Sequence, residues 1–372
     1  MTLSTGEPIN RRSFVRGGGF MVLVAASSPL SSLLSASARA QSAPVPVARR
    51  IILDTDPGVD DAFALLLAMH SKELDIQAIT AVAGNVPLEL TLANALRLVE
   101  IAGRTDIPVA GGAAHPLVRR SITAAYAHGE NGLAGVDFPE ARIKPVKEHA
   151  VDLITRIVRA YPGEITLVAV GPLTNIALAL GSDPEIPRLV KQIVLMGGST
   201  TAGNVTPAAE FNFYVDPEAA AAVFDSGVPI TMVGLNVTEQ VRLNETHVAR
   251  LEAANNPSSR ALARIARSSF AAMQKQGYGG GFTMHDPLAV SALLDPGILT
   301  LEDRRVEIET AGSMTAGMSV VYTRDAEIYS APLQSSPEGS HRRLAKPNTR
   351  VATAVHPDRF FDLFLTRLTT SA

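Results

Sequence analysis

The chain of 372 residues carries 33 lysines and arginines against 36 aspartates and glutamates, a net charge of −3, and has neither cysteine nor tryptophan. The missing cysteines exclude disulfide scaffolds, iron–sulfur clusters, thiolate zinc sites and cysteine nucleophiles. A slightly acidic balance with no basic block after the N-terminus makes nucleic acid a poor partner, and 46% apolar against 19% charged residues describes a globular chain with a large core.

The first forty residues read as an export signal. Arg11-Arg12 followed by Phe14 resembles a twin-arginine motif; a weakly apolar stretch over 17–34 follows, and Ala38-Arg39-Ala40 supplies the small residues of a cleavage site. Pro29 and the Gly/Ser content of the apolar stretch leave it short of a membrane span. Cleavage after Ala40 would remove four arginines and one glutamate, leaving a net charge of −6 on a periplasmic or secreted protein without a stable membrane anchor. Residues 41–49 then form a Pro/Ala linker.

From residue 50, short β-branched runs alternate with helical stretches. Residues 51–53 predict a buried strand followed by a helix over 60–70, and 76–82 a strand followed by a helix over 88–101. Residues 165–170 precede a helix over 173–180, while 192–196 and 229–233 predict two more strands. Asp216-Pro217-Glu218 opens a helix with a capping carboxylate, Pro at the first position and an acid in the first turn. Continuous apolar strands between helices predict one α/β domain over 50–372, with a mostly parallel, Rossmann-type open sheet. Ligands then belong beyond the carboxyl ends of the strands. Longer irregular loops are expected over 112–135 and 277–284.

The segment Asp54-Thr55-Asp56-Pro57-Gly58-Val59-Asp60-Asp61 ends the first strand with four carboxylates. Such a cluster raises its own pKa values unless positive charge sits within it. The N-terminus of the following helix supplies part of that field, and a divalent cation would supply the rest. All-oxygen ligation favours a hard ion, Ca²⁺ or Mg²⁺. Asp60 and Asp61 diverge by about 100° on a helix, so one is expected to bind metal while the other reaches to a ligand. Gly58 at the third ligand position excludes an EF-hand loop, and the same glycine disfavours a phosphatase of the haloacid-dehalogenase type.

The octet, with Ala62-Phe63-Ala64-Leu65-Leu66-Leu67-Ala68 after it, resembles the signature of the inosine–uridine-preferring nucleoside hydrolases. The resemblance continues through Ala83-Gly84-Asn85, His128-Gly129-Glu130-Asn131-Gly132-Leu133, Gly171-Pro172-Leu173-Thr174-Asn175 and Leu195-Met196-Gly197-Gly198. It closes with Glu210-Phe211-Asn212, Asp216-Pro217-Glu218 and Met284-His285-Asp286-Pro287.

The resemblance implies hydrolysis of the N-glycosidic bond of ribonucleosides to ribose and free base. It implies one Ca²⁺ held by Asp56, Asp61, Asp286 and the carbonyl of Val170, with Asp54 orienting the loop. Asp56 would be the general base toward a water acidified by the ion, and His285 would donate a proton or hydrogen bond to the departing base. Asp60 and Asn85 would hold the ribose hydroxyls, Glu210, Phe211 and Asn212 the 5′ side, with Met196 and Asn204 completing the sugar pocket. His128 would meet the nucleobase. Gln274 and Tyr278 resemble the residues that pyrimidine-preferring relatives bring over the base, and Gly279-Gly280-Gly281 reads as the hinge of a lid. The absence of tryptophan disfavours the purine-specific relatives, so pyrimidine nucleosides slightly favoured, or a broad specificity, is expected, and the resemblance implies a homodimer or homotetramer. The competing reading is an exported nucleoside- or ribose-binding protein without turnover.

Overall fold

The computed structural model describes residues 48–277, 279, 281–322 and 346–370. The expected export signal, most of the linker, Tyr278 and Gly280 lie outside the described residues.

Strand β1 (Arg49–Thr55) runs through the middle of the molecule, and Ile51, Ile52 and Leu53 are fully buried. Their side chains alternate between faces. Ile51 and Leu53 join a core that includes Phe63, Phe282, Phe360 and Phe364, whereas Ile52 joins the opposite core with Ile154, Leu180, Val223 and Phe224. The continuous apolar run therefore serves a sheet covered on both sides.

Helix α1 (Val59–Met69) follows β1 and is buried along its whole length. Strand β2 (Leu74–Ala81), helix α2 (Leu88–Ile101) and strand β3 (Val109–Gly111) complete the first half. The second half supplies β4 (Thr166–Ala169), β5 (Gln192–Met196) and β6 (Ile230–Val233). Short strands β7 (Arg242–Leu243) and β8 (Phe282–Thr283) pair with each other. Strands β9 (Leu299–Arg304), β10 (Val306–Ile308), β11 (Ser319–Val321) and β12 (Thr349–Val355) follow, and a helix over Pro357–Thr369 packs back on α1.

The main sheet has the order β3-β2-β1-β4-β5-β6-β12-β9, parallel throughout except for β9 at its edge. The expected mostly parallel α/β sheet is present. From β1 the chain first builds outward through β2 and β3, then returns to β4 on the other side of β1. That reversal opens a crevice beyond the carboxyl ends of β1 and β4. The register pairs Asp54 with Ala169, so the acidic octet and Val170 leave the sheet side by side.

The loop over 112–135 contains a short helix, Ala125–His128. The long helix Pro257–Lys275 and strands β9–β12 carry no expectation from the sequence pattern. Among the described residues, no helix is long and apolar enough to cross a membrane.

Candidate active site

Two helix N-termini converge at the crevice. Asp60 and Asp61 sit in the first turn of α1, and Asp286 sits in the first turn of the helix His285–Leu294, which packs against α1. Both helix dipoles favour negative charge there. Asp61 is the most tightly held: it accepts from the Thr55 hydroxyl at 2.5 Å, the Gly58 amide at 2.9 Å, the Asn85 side-chain amide at 3.0 Å and the Asp56 amide at 3.3 Å. Asp56 accepts the Asn85 amide on Oδ2 at 2.7 Å, while its Oδ1 is buried without a partner. That carboxylate lies in a cleft between two glycines. A Cβ on Gly84 would stand 2.0 Å from Asp56 Oδ2, and one on Gly171 would stand 2.5 Å from Oδ1. Only glycine lets the backbone come so close, which is the physical content of the Ala-Gly-Asn and Gly-Pro-Leu segments.

Carboxylate oxygens of Asp60, Asp61 and Asp286 lie within 4.8 Å of one another, and all three residues are buried. Adjacent helical carboxylates were expected to diverge. Here both reach one spot, because Asp61 turns back to accept the Gly58 amide at the helix entrance while Asp60 leans toward Asp286. Asp56 stands beside the triplet and adds its charge to Asp286. Burial, reinforced by the neighbouring carboxylates, holds Asp56 and Asp286 well above the usual range and lifts Asp60 to about 7. Burial also raises Asp61. This floor of acids with one orphaned oxygen fits a hard divalent cation: its donors are all oxygen, and a cation would let the acids ionise together.

Asp54 belongs to a different network. Its Oδ1 accepts from the Thr80 hydroxyl at 2.5 Å and the Asn175 amide at 2.8 Å, and burial raises it to about 7. Asn175 also donates to the Ala81 carbonyl, so Asp54 braces the strand ends together.

Above the floor lies a narrow cavity of about 140 Å³. Asp60, Asn85, His128, Val170, Met196, Asn204, Glu210, Phe211, Asn212, His285 and Asp286 all border it, so these expected site residues come together. Glu210 caps the helix Phe211–Val215, accepting the amides of Asn212, Gly198 and Phe213, and burial lifts it to about 7. Asn204 accepts the Phe211 amide at 3.0 Å. The Asn212 side chain donates to the carbonyls of Val170 at 3.1 Å and Met196 at 3.2 Å, and all three residues border the cavity.

A wider and more apolar cavity of about 600 Å³ adjoins it, sharing Asp60, Tyr126, Ala127, His128 and His285. Burial pushes His128 down to about 4 and His285 down to about 3, so both rings are neutral at pH 7. His128 Nδ1 accepts the Val59 amide at 3.0 Å, which places its ring proton on Nε2. His285 Nδ1 meets the Thr238 hydroxyl at 2.8 Å.

Gln274 is not brought to this site. It is exposed in the last turn of the helix Pro257–Lys275 and borders neither cavity. Gln276, which ends that helix, lines the wide cavity with Met273 and Phe282. Tyr278 lies outside the described residues. Sequence reasoning also missed Tyr126, Thr55 and Thr238. Tyr126, two residues before His128, had a signal in its position; Thr238 had none.

A family model described as inosine–uridine preferring nucleoside hydrolase matches residues 51–362. A pyrimidine-specific ribonucleoside hydrolase, RihA, of Enterobacter sp. (strain 638) is 44% identical over 320 residues, which cover 86% of this chain and 97% of the relative. Among solved structures, a plant nucleoside hydrolase, PpNRh1, superposes with a TM-score of 0.79 at 33% identity, covering 87% of this chain and 99% of that one. A purine-preferring ribonucleoside hydrolase from Gardnerella vaginalis gives 0.78 at 33% identity, covering 86% and 98%. The matched span includes the acidic floor, both histidines and the sugar-side residues alike, and the chain belongs to the inosine–uridine preferring nucleoside hydrolase family, as an enzyme that hydrolyses ribonucleosides to ribose and free base.

Proposed function

We propose that this hydrolase uses Ca²⁺ held by Asp56, Asp61, Asp286 and the Val170 carbonyl, prefers pyrimidine ribonucleosides, and works after export as a homodimer or homotetramer. The observation that carries the metal reading is the buried, unpartnered Oδ1 of Asp56 beside three converging carboxylates. When bound there, such an ion supplies positive charge to the acids and makes nearby water more acidic.

The chain's own residues account for the remainder. Asp60 and Asn85 border the narrow cavity where ribose hydroxyls would lie, with Glu210, Phe211, Asn212, Asn204 and Met196 around the 5′ side. Fixing the sugar this fully brings its anomeric carbon over Asp56. The C1′–N bond breaks with its electron pair leaving on the base, a C1′–O bond forms to water, and the Asp56 carboxylate takes the water's proton. Positive charge developing on the ribose ring lies over the acidic floor. Neutral His285 and His128 meet the departing base as hydrogen-bond donors.

Pyrimidine preference is supported by the pyrimidine specificity of the RihA relatives and by the absence of tryptophan. Export is supported by Arg11-Arg12, Phe14 and Ala38-Arg39-Ala40. Purified protein assayed for reducing sugar with uridine, cytidine and inosine, with and without a calcium chelator, tests both halves. Faster release from uridine and cytidine, lost on chelation, is expected. Faster release from inosine overturns the base preference, and chelator-resistant release overturns the metal. N-terminal sequencing of the exported protein should find a start at Gln41.

A further inference from the structure

We infer that Thr238 is a positioning residue that locks His285 in the tautomer whose Nε2–H faces the substrate. Thr238 ends the short helix Leu235–Thr238 beyond β6 and is fully buried. Its own amide is satisfied by the Gly234 carbonyl at 3.1 Å. Among the described residues, its hydroxyl has one hydrogen-bond partner, His285 Nδ1 at 2.8 Å.

That single contact fixes the direction of the hydrogen bond. If Nδ1 carried the ring proton and donated it, the threonine hydrogen would be buried with no acceptor, a state native structures avoid. If the threonine donates, its hydrogen and the Nδ1 lone pair are both satisfied, and the ring proton belongs on Nε2. Nδ1 is tied to Thr238 and His285 borders both cavities, so Nε2–H is left for the seam between sugar and base. His128 reaches the same tautomer by another route, through the Val59 amide. The two rings thus offer donors, not acceptors, to the base. One is set by backbone and cannot be changed by substitution; the other is set by a side chain and can.

The inference rests on the reading that His285 meets the departing base. Thr238→Val keeps the shape of the buried side chain and removes the donor; Thr238→Ser keeps the donor. Each is assayed, calcium-loaded, with uridine and with a riboside carrying a 4-nitrophenolate leaving group, which departs without a donor's help. Thr238→Val is expected to lower kcat on uridine by at least about tenfold, to leave KM within about threefold, and to leave kcat on the nitrophenyl riboside unchanged. Thr238→Ser should restore uridine turnover. Equal losses on both substrates, or uridine turnover like the parent's, overturn the role. The ¹⁵N resonances of His285 read the tautomer independently of turnover: a proton on Nε2 in the parent protein and a mixture in Thr238→Val are expected. A proton on Nδ1 in the parent overturns the inference even if the enzyme is active, whereas an inactive enzyme with the expected tautomer would fault only the reading of the reaction.

Discussion

The two adjoining cavities are built in different ways. The narrow one is bordered by buried polar groups with specified hydrogen bonds: Glu210 takes three donors and Asn212 bridges two carbonyls, while Asp61 beneath them takes four donors. The wide one is bordered by more apolar surface, from alanines, glycines, Val59, Met273 and Phe282, with Glu130, Ser269, Gln276 and Thr283 as polar members of its own. A shared substrate part, the ribose, calls for rigid and saturated recognition; a variable part, the base, calls for adaptable apolar walls. His128 and His285 stand where the two meet.

The sharpest way to break this contrast is on the polar side. Asp56→Asn keeps the shape between Gly84 and Gly171 but removes the proton acceptor, and should cost about 10²–10⁴-fold in kcat on uridine with little change in melting temperature. Near-normal turnover would remove Asp56 from its role. Gly58→Ala should follow. A Cβ there would stand 2.4 Å from His128 Nδ1 and 2.6 Å from the Asn85 side-chain amide, so the loop must shift, at a cost of about 1–3 kcal/mol in stability measured by denaturant unfolding.

The acid–base balance sharpens the contrast further. Asp60 and Glu210, lifted by burial to about 7, contribute stability that is complete below their ordinary values of 3.8 and 4.5 and is lost as pH rises through about 7. His285, pushed by burial down to about 3, works oppositely: its contribution is complete above 6.5 and lost as pH falls through about 3. Protons compete with a cation at Asp56, Asp61 and Asp286, whose pKa values burial raises, so the rise in melting temperature on adding calcium should grow from about pH 5 to about pH 8. A rise that is flat across that range contradicts the assignment of the ion to these acids. The smallest effect belongs to the apolar side. Gln276→Ala should change the ratio of kcat/KM between uridine and inosine by about tenfold or less, leaving inhibition by free ribose unchanged.

The same contrast governs what the sequence makes legible. The acidic octet can be read directly, because strand, turn and helix entrance are consecutive and four carboxylates in that span need a counter-charge. Glycines 84 and 171 and Asn85 become legible as segments of a family pattern, and the structure supplies their reason, the close approach to Asp56. His285 and Asp286 lie more than two hundred residues from the octet, and only the resemblance links them to it. The wide cavity resists reading. Whether Gln274 or Gln276 borders it depends on where the helix Pro257–Lys275 stops, since each residue turns the side chain by about 100°. Thr238 meets His285 only through the return of the chain from β8 beside the end of β6. Strand β12 was likewise hidden: its pairing with β6 spans more than a hundred residues, and its burial pattern lacks the continuous apolar run of β1.

Titration of chelated protein with calcium, reading bound ion and uridine turnover in the same samples, tests the central claim most directly. The account predicts one ion per chain, with turnover restored in proportion to occupancy and Asp61→Asn failing to bind. Full turnover in the chelated protein, or calcium bound as tightly by Asp61→Asn, would contradict it.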